Sequence, residues 1–271
     1  MRAILPLLLA LAAGPARAAL PGISSATLSD PYQLVGATVA YDSVDMNLNR
    51  FPERLVFDVS WGLLSVGHAT LGVERVVRFA ATPAYHIVSE AVSNGFCDTF
   101  YKVRDLNESW VDAKTMTSLG YSKKLREGKF FRDEWVVYDK PEKRFLSKTT
   151  NRDRSFSYAS GAIPSSVQDV LSSVFYVRTQ KLVPGTEIVM DVNTKQTWPL
   201  VVRVIRKERI RTPAGTFDTV LVEPAMRQEG IFIQKGKRLQ IWLTDDALKT
   251  PVLMKVEVFF GHVTAKLSKM L

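Results

Sequence analysis

Three histidines and one cysteine are the side chains of this sequence best suited to nucleophilic catalysis or to zinc binding: His68, His86, His262 and Cys97. They are scattered over 271 residues, and their spacing matches no pattern of metal ligands. The sequence also lacks G-x-S-x-G, the nucleophile turn of many hydrolases. A hydrolase would need His68 or His86 to face a cavity beside a hydroxyl and a carboxylate. An ordinary strand histidine is the simpler interpretation of both.

The remaining candidates for chemistry are Cys97 and the adjacent acids Asp245 and Asp246. Cys97 has no basic neighbour that would lower the pKa of its thiol, so we expect a buried or incidental thiol. The two acids lie in a predicted loop and have oxygen ligands of the kind that calcium takes, but a solvated turn after a strand is the simpler interpretation. The sequence therefore predicts no catalytic residue, no metal and no cofactor.

Asp169 and Arg178 bracket the one segment whose apolar residues recur at helical spacing. An acid near the start and a base near the end of a helix are favoured by the helix dipole without any function. The alternative is that Tyr176 and Arg178 project from a helix at the mouth of a cavity. There, a guanidinium could form two hydrogen bonds with a phosphate or a carboxylate.

Two basic clusters lie on predicted hairpins. Long basic side chains on outer strand positions commonly prevent edge-to-edge aggregation, and this is the simpler interpretation. If the two clusters share one face, that face would instead dock on an anionic membrane or on lipopolysaccharide. The clusters consist of Lys123, Lys124, Arg126, Lys129 and Arg132, and of Arg203, Arg206, Lys207, Arg209 and Arg211.

The elements that must position these residues are mostly strands. From Pro52 onward the chain is rich in β-branched and aromatic residues and is divided by Gly and Pro turn signals, which predicts about a dozen strands. Gly128 predicts a tight hairpin because it can supply a positive φ. Residues 166–179 form the one predicted helix, with Ser166 and Asp169 in a capping pattern. We therefore predict an all-β fold, a large antiparallel barrel or strongly curved open sheet, with this amphipathic helix packed on or inside it.

The N-terminal residues predict export. Residues 1–18 have the pattern of a signal peptide that is cleaved after Ala18, and the apolar run is too short to span a bilayer. Residues 19–50 read as an irregular arm and 51–271 as a single β-rich domain. No cysteine follows the cleavage site to carry a lipid anchor, and no later segment is long and uncharged enough to cross a membrane. We expect a soluble protein of the periplasm.

Composition and charge limit the class of partner. The chain is 46% hydrophobic and 23% charged, with a net charge of +9, which is typical of a globular protein. Loss of residues 1–18 would remove Arg2 and Arg17 from the 36 basic residues and leave a charge of +7. Export argues against nucleic acid as the partner, and moderate positive charge suits anionic lipid. The charge also keeps a protein soluble without any partner. Nothing here specifies an oligomeric state.

Four motifs, taken in order, resemble the bacterial exported proteins grouped as domain of unknown function 3108. The resemblance extends over roughly Phe51 to Leu271 and implies an exported, β-rich single domain, with no catalytic residue to transfer. The positions that match the family pattern include Asp169, Tyr176, Arg178, Trp242 and Asp245, and of these we take Tyr176, Arg178 and Trp242 as candidate ligand-binding residues. The motifs are Ser65-Val66-Gly67-His68-Ala69, Asp169 to Arg178, Thr212 to Phe217, and Ile241 to Asp246 with Pro251-Val252.

Three hypotheses for function follow. The leading one is a non-enzymatic periplasmic binding or carrier protein for a lipid or another amphiphile of the cell envelope, because a curved sheet closed by an apolar helix can enclose a ligand cavity. The second is a structural or interaction protein of an envelope assembly, which an open sheet edge with an apolar outer row would favour. An envelope hydrolase is third. An apolar cavity without a histidine, hydroxyl and carboxylate cluster would favour the carrier.

Overall fold

The computed structural model describes residues 39–40, 52–194, 196–226, 238–258 and 260–271. The predicted signal peptide and nearly all of the predicted arm lie outside these residues. None of the helices within the described ranges is long and apolar enough to cross a bilayer.

The chain forms one large sheet and two short helices. The helices are α1 (Gly95–Asp98) and α2 (Val170–Thr179). The strands are β1 (Val39–Ala40), β2 (Glu53–Trp61), β3 (Leu64–Phe79), β4 (Thr82–Ser93), β5 (Arg104–Asp112), β6 (Ser118–Glu127), β7 (Phe130–Asp139), β8 (Arg144–Asn151), β9 (Phe156–Ala162), β10 (Val167–Gln168), β11 (Glu187–Asn193), β12 (Thr197–Thr212), β13 (Gly215–Met226), β14 (Leu239–Thr244), β15 (Pro251–Glu257) and β16 (His262–Met270).

The strands follow one another around a curved, open sheet. Fifteen of them lie on one path, in the order β10 to β16, then β2 to β9, and β1 pairs with β3 beside it. All neighbours on the path are antiparallel except β10 and β11. The pairing of β16 with β2 joins the last strand of the chain to the first strand of the path. The predicted fold class is confirmed, with more strands than the dozen expected.

Alternation of apolar and polar residues explains which face of each strand is buried. In β2, Leu55, Phe57 and Val59 are buried, while Arg54 before them and Asp58 between the last two are exposed. The two-residue turn between β6 and β7 contains Gly128 at φ 57°, which confirms the predicted hairpin.

Gly67 permits the close approach of β3 and β4. A Cβ at this position would lie 2.1 Å from the Val92 carbonyl oxygen, so another residue would force the two strands apart. Gly72 on the same strand marks a second tight backbone contact, because a Cβ there would lie 2.0 Å from the Glu53 carbonyl oxygen.

The predicted helix is confirmed, but it begins at Val170 rather than at 166. Val167 and Gln168 are extended because they pair with Asp191 and Val192 of β11. Asp169 is the N-cap: its side chain accepts hydrogen bonds from the backbone N–H groups of Leu171 and Ser172. The capping pattern therefore lies three residues later in the sequence than Ser166.

Helix α2 lies between two parts of the sheet. Leu171 and Phe175 belong to the main core, together with buried residues of β2, β3, β4 and β16. Val177 belongs to a second apolar cluster with residues of β11, β12, β13 and β14. Because both clusters include helix residues, α2 occupies the interior of the curved sheet and packs against opposite walls.

Candidate functional site

An apolar cavity lies between α2 and strands β12, β13 and β14. It offers about 70 Å³ to the centres of water-sized molecules and about 600 Å³ of empty space when its open side is included. The larger figure includes open solvent, and the smaller one lies below the usual range of small-molecule sites, about 300–1,000 Å³. The helix contributes Val170, Ser173, Val174 and Val177, and the strands contribute Leu200, Val202, Val222, Pro224, Leu239, Ile241 and Leu243.

Among the described residues that line the cavity, Ser173 is the only polar one, and its hydroxyl is already used. The Ser173 Oγ donates a hydrogen bond to the Val170 carbonyl oxygen at 2.7 Å, within the helix. The wall of the cavity therefore presents hydrocarbon to whatever enters it. Such a surface can bind an alkyl chain but offers nothing to polarise or attack a scissile bond.

The start of α2 is fixed by a buried carboxylate. The Asp169 Oδ1 caps the helix, and its Oδ2 accepts hydrogen bonds from the hydroxyls of Ser109 on β5 and Ser118 on β6, both at 2.6 Å. All three side chains are buried. Asp169 thus connects the helix to the wall opposite the cavity, which gives this residue a structural role.

The end of α2 is fixed by a buried ion pair. The Arg178 guanidinium donates two hydrogen bonds to the Glu53 carboxylate on β2, at 2.8 and 2.6 Å, and a third to the Leu248 carbonyl oxygen at 3.3 Å. The arginine has no exposed surface. The two-point geometry expected for a ligand phosphate or carboxylate is present, but the carboxylate belongs to the protein itself.

The other two candidate ligand-binding residues lie near the cavity without lining it. Tyr176 is half-buried and packs against the second apolar cluster. Trp242 lies on β14 between two cavity residues, Ile241 and Leu243, so strand alternation places its side chain on the opposite face. The indole of Trp242 donates to the Glu208 Oε1 at 2.7 Å. Ligand binding by Tyr176, Arg178 and Trp242 stays a prediction.

The interior wall formed by β5 to β7 is polar, unlike the cavity. Lys123 and Glu134 form a buried ion pair at 3.4 Å. Nearby, burial and then the charge of Asp105 raise the pKa of Glu127 to about 8. Burial likewise raises the pKa of Asp105, which accepts a hydrogen bond from the Arg126 backbone N–H. Glu127 therefore holds a proton at neutral pH.

His86 lies in a cluster on the outer face of β4, away from the cavity. Its Nε2 lies 3.1 Å from the Glu108 Oε1, and its ring stacks on Trp110 at 5.4 Å. The Ser122 hydroxyl donates to the other carboxylate oxygen of Glu108 at 3.0 Å, not to the imidazole. Burial would raise the pKa of Glu108, but its bonds to His86 and Ser122 hold it below its usual value. A histidine, a hydroxyl and a carboxylate do meet here, but away from any described cavity. The carboxylate lies between the other two, so the imidazole does not contact the hydroxyl that it would have to deprotonate.

The other candidate residues have ordinary structural surroundings. His68 is exposed on β3. Cys97 is buried in α1, and burial followed by the charge of Asp98 raises the pKa of its thiol, as predicted. The Asp245 Oδ2 accepts from Lys207 at 2.6 Å, and the Asp246 Oδ1 accepts three hydrogen bonds inside its turn. The solvated-turn interpretation of this acid pair fits these contacts.

Most members of the two basic clusters are paired with acids. On the first hairpin, Lys123 pairs with Glu134 and Arg126 with Asp133. On the second, the pairs are Arg203 with Glu187, Arg206 with Glu208, Lys207 with Asp245, and Arg209 with Asp218. Pairing of this kind leaves little net charge on these hairpins to attract an anionic surface.

The cavity residues and Glu53 were not among the residues singled out from the sequence. The apolar wall could have been predicted from alternation along two strands. The alternating apolar residues are Leu200, Val202 and Val204 on β12, and Val220 and Val222 on β13. Glu53 carries no such signal, because 125 residues separate it from Arg178.

Comparisons with known proteins agree with this architecture. A family model described as "Protein of unknown function (DUF3108)" matches residues 56–268, and the chain belongs to this family. No curated protein matches. A solved structure that is similar is the beta-barrel-like protein of domain of unknown function DUF1849 from Brucella abortus, with a TM-score of 0.51 and 11% identity. The match covers 83% of this chain and 99% of the Brucella chain, and at this identity it supports the fold alone.

Proposed function

We propose that the protein is a non-enzymatic binding or carrier protein that holds the apolar chain of a lipid or other envelope amphiphile between α2 and strands β12 to β14. The observation that carries the proposal is the cavity, whose lining is aliphatic apart from the internally bonded Ser173. Each methylene that leaves water for such a surface contributes about 0.8 kcal/mol, so a chain of several carbons would bind without any polar contact.

The arrangement around the cavity favours binding over catalysis. Within the described residues, a histidine, a carboxylate and a hydroxyl meet in the His86 cluster, which lies on the outer face of β4 and not in the cavity. The cavity instead has the features of a ligand site: a concave apolar surface beside a helix that is held at both ends. A polar head group would remain at the open side, in contact with water.

Native mass spectrometry of the protein purified from its own cells tests this proposal. We expect a stoichiometric amphiphile that solvent extraction releases and lipid analysis identifies. Val174→Trp would fill the cavity from the helix side and abolish the added mass. The control is Val189→Trp on β11, an exposed position outside the cavity lining, which would retain it. An unliganded mass, with no uptake of offered envelope lipids, would overturn the proposal.

The proposed setting is the periplasm, and it rests on the sequence of residues 1–18. Cell fractionation with N-terminal sequencing tests it. The expected product is a periplasmic protein that starts at Ala19. A cytoplasmic protein that retains Met1 would contradict this part of the proposal.

The second candidate function is an interaction protein of an envelope assembly, and strand β9 favours it. Strand β9 ends the path of the sheet and pairs only with β8 among the described strands. Its Phe156 and Tyr158 are exposed on one face, where Lys148 lies over both rings. An edge of this kind can accept a strand from a partner. Phe156→Lys with Tyr158→Lys would disrupt an assembly seen on native gels and leave the bound amphiphile in place.

A further inference from the structure

Five connections between strands lie together at one end of the sheet. They link β15 to β16, β2 to β3, β4 to β5, β6 to β7 and β8 to β9, and we call them, with the first strand residue after each, the rim. In an antiparallel order every second connection lies at the same end. Hydrogen bonds join neighbouring connections: Trp61 Nε1 to the Phe260 oxygen (2.7 Å), Asn94 Nδ2 to the Ser65 oxygen (2.7 Å), Gly128 N to the Lys102 oxygen (2.7 Å) and Arg152 to the Lys129 oxygen (3.0 Å).

The rim collects the exposed phenylalanines of the described chain. All five phenylalanines that the described structure leaves largely exposed belong to it: Phe96, Phe100, Phe130, Phe156 and Phe260. Leu63 and Leu64 join them, and Leu63 is fully exposed. Single apolar residues on a surface are ordinary, but seven at one end of a sheet indicate a surface that meets an apolar environment.

The charges of the rim are mainly positive. Lys102, Lys129, Arg152 and Arg154 are exposed there. Acids of the same connections are already engaged with the protein: Asp98 pairs with Arg104 at 2.5 Å, and Asp153 accepts hydrogen bonds from the hydroxyl and backbone N–H of Ser155. The neighbouring Glu127 is buried. Basic side chains beside exposed phenylalanines complement an anionic bilayer, in which phosphates lie above hydrocarbon.

We propose that the rim docks the protein on an anionic lipid bilayer. Leu63, Phe96 and Phe260 enter the layer between head groups and acyl chains, while the lysines and arginines contact phosphates. The apolar residues are distributed over all five connections, which suits insertion into a fluid surface better than a rigid protein interface. This docking surface shares only Lys129 with the two basic clusters suggested by the sequence, most of whose other members form ion pairs.

The position of the cavity gives the docking a use. Pro224 and Leu239 line the cavity near the end of β13 and the start of β14, at the same end of the sheet as the rim. An alkyl chain that leaves the bilayer beneath the rim would therefore have a short path to the cavity. This use rests on the proposed function, whereas docking itself does not require a ligand.

Flotation with vesicles tests the docking. Binding is measured to anionic vesicles of phosphatidylethanolamine and phosphatidylglycerol and, for comparison, to vesicles of phosphatidylcholine. All variants keep the same N-terminus, so a difference in binding between two variants comes from the substitutions. Leu63→Ser with Phe96→Ser and Phe260→Ser is expected to weaken binding to the anionic vesicles at least tenfold. The matched control is Val183→Ser with Val189→Ser and Met270→Ser, three exposed apolar residues outside the rim, which is expected to bind as wild type does.

Charge is tested separately. Lys102→Gln with Lys129→Gln is expected to weaken binding to anionic vesicles about ten- to thirtyfold at low salt, and to leave binding to phosphatidylcholine unchanged. Lys114→Gln with Lys269→Gln removes two exposed lysines outside the rim and serves as the control. If the apolar triple variant fails to fold by circular dichroism, this lysine pair decides the question.

Three outcomes would overturn the proposal: wild type does not float with anionic vesicles, the rim variants bind as well as their controls, or the rim triple variant dissolves a dimer that forms without lipid. The last would make the rim an interface between copies of this chain. Val174→Trp, which fills the cavity, is expected to float like wild type. Failure of the proposed ligand site and failure of the proposed docking can therefore be told apart.

Discussion

The two walls that face α2 differ in chemistry. The wall of β12 to β14 meets the helix through aliphatic side chains and leaves a cavity between them. On the other side, Ser109, Ser118 and Glu53, from β5, β6 and β2, hold the helix by hydrogen bonds and an ion pair. One wall thus fixes the position of the helix while the other leaves room for a guest.

This difference explains how a cavity persists in an interior that would otherwise close around it. Apolar packing is not directional, so a helix held only by such contacts can shift to fill a void. Two directional anchors, at Asp169 and at Arg178, fix both ends of a ten-residue helix. Substitutions on the anchoring wall should therefore change stability, whereas substitutions on the cavity wall should change binding.

The largest effect is expected from Arg178→Met. It leaves the Glu53 carboxylate, whose side chain is only 13% exposed, without its partner. Removing one member of a buried ion pair costs about 3–5 kcal/mol of unfolding free energy, to be measured by urea denaturation. Adding Glu53→Gln should restore part of the loss. Arg209→Met breaks a fully exposed pair with Asp218 and should have no measurable effect. Equal behaviour of the two arginine variants would mean that Arg178 is no anchor.

Asp169→Ala tests the other end of the helix. The substitution removes the N-cap and leaves two buried serine hydroxyls without their acceptor, so we expect a loss of about 2–4 kcal/mol in urea denaturation. Asp169→Asn retains an oxygen acceptor for the helix and should lose less. If the alanine variant were as stable as the asparagine variant, neither the cap nor the serine bonds would contribute.

The polar wall should give stability a pH dependence through Glu127. Its pKa in the folded protein, about 8, lies above the ordinary 4.5, so the folded state keeps a proton that the unfolded state releases. This contribution to stability is complete below pH 4.5 and is lost as the pH rises through 8. Glu127→Gln should gain stability relative to wild type as the pH rises from 5 to 9, because the glutamine has no proton to release. A difference that does not vary with pH in urea denaturation would contradict this account.

The smallest effect is expected at the one polar residue of the cavity. Ser173→Ala removes a hydroxyl that bonds only within the helix, so the unfolding free energy should change by less than about 0.5 kcal/mol. Ligand occupancy in native mass spectra should equal that of wild type. Loss of the ligand in this variant would mean that Ser173 contacts the head group.

Much of the fold could be predicted from the sequence, because alternation, turn glycines and one helical segment are local signals. The position of the helix start could not, since the extension of Val167 and Gln168 depends on pairing with β11. The strands outnumber the predicted dozen in part because short strands such as β10, two residues long, form only by pairing with another part of the chain.

The candidate site was less predictable because its contacts join distant parts of the chain. Arg178 was singled out as a forked donor to a ligand, but its forked acceptor in the structure is Glu53, at the start of the first long strand. Trp242 matched the family pattern, yet the residues on either side of it are the ones that face the cavity. Both faces of β14 are buried, so alternation along this strand does not say which face lines the cavity.

Photocrosslinking tests the central claim most directly. The wild-type protein is incubated with a fatty acid that carries a diazirine near the end of its chain, irradiated, digested and analysed by mass spectrometry. We predict that the modified residues lie in α2 between Val170 and Val177 and in strands β12 to β14, and that Val174→Trp eliminates them. Modification confined to the rim or to β9, or equal in the Val174→Trp variant, would contradict a ligand site between the helix and the apolar wall.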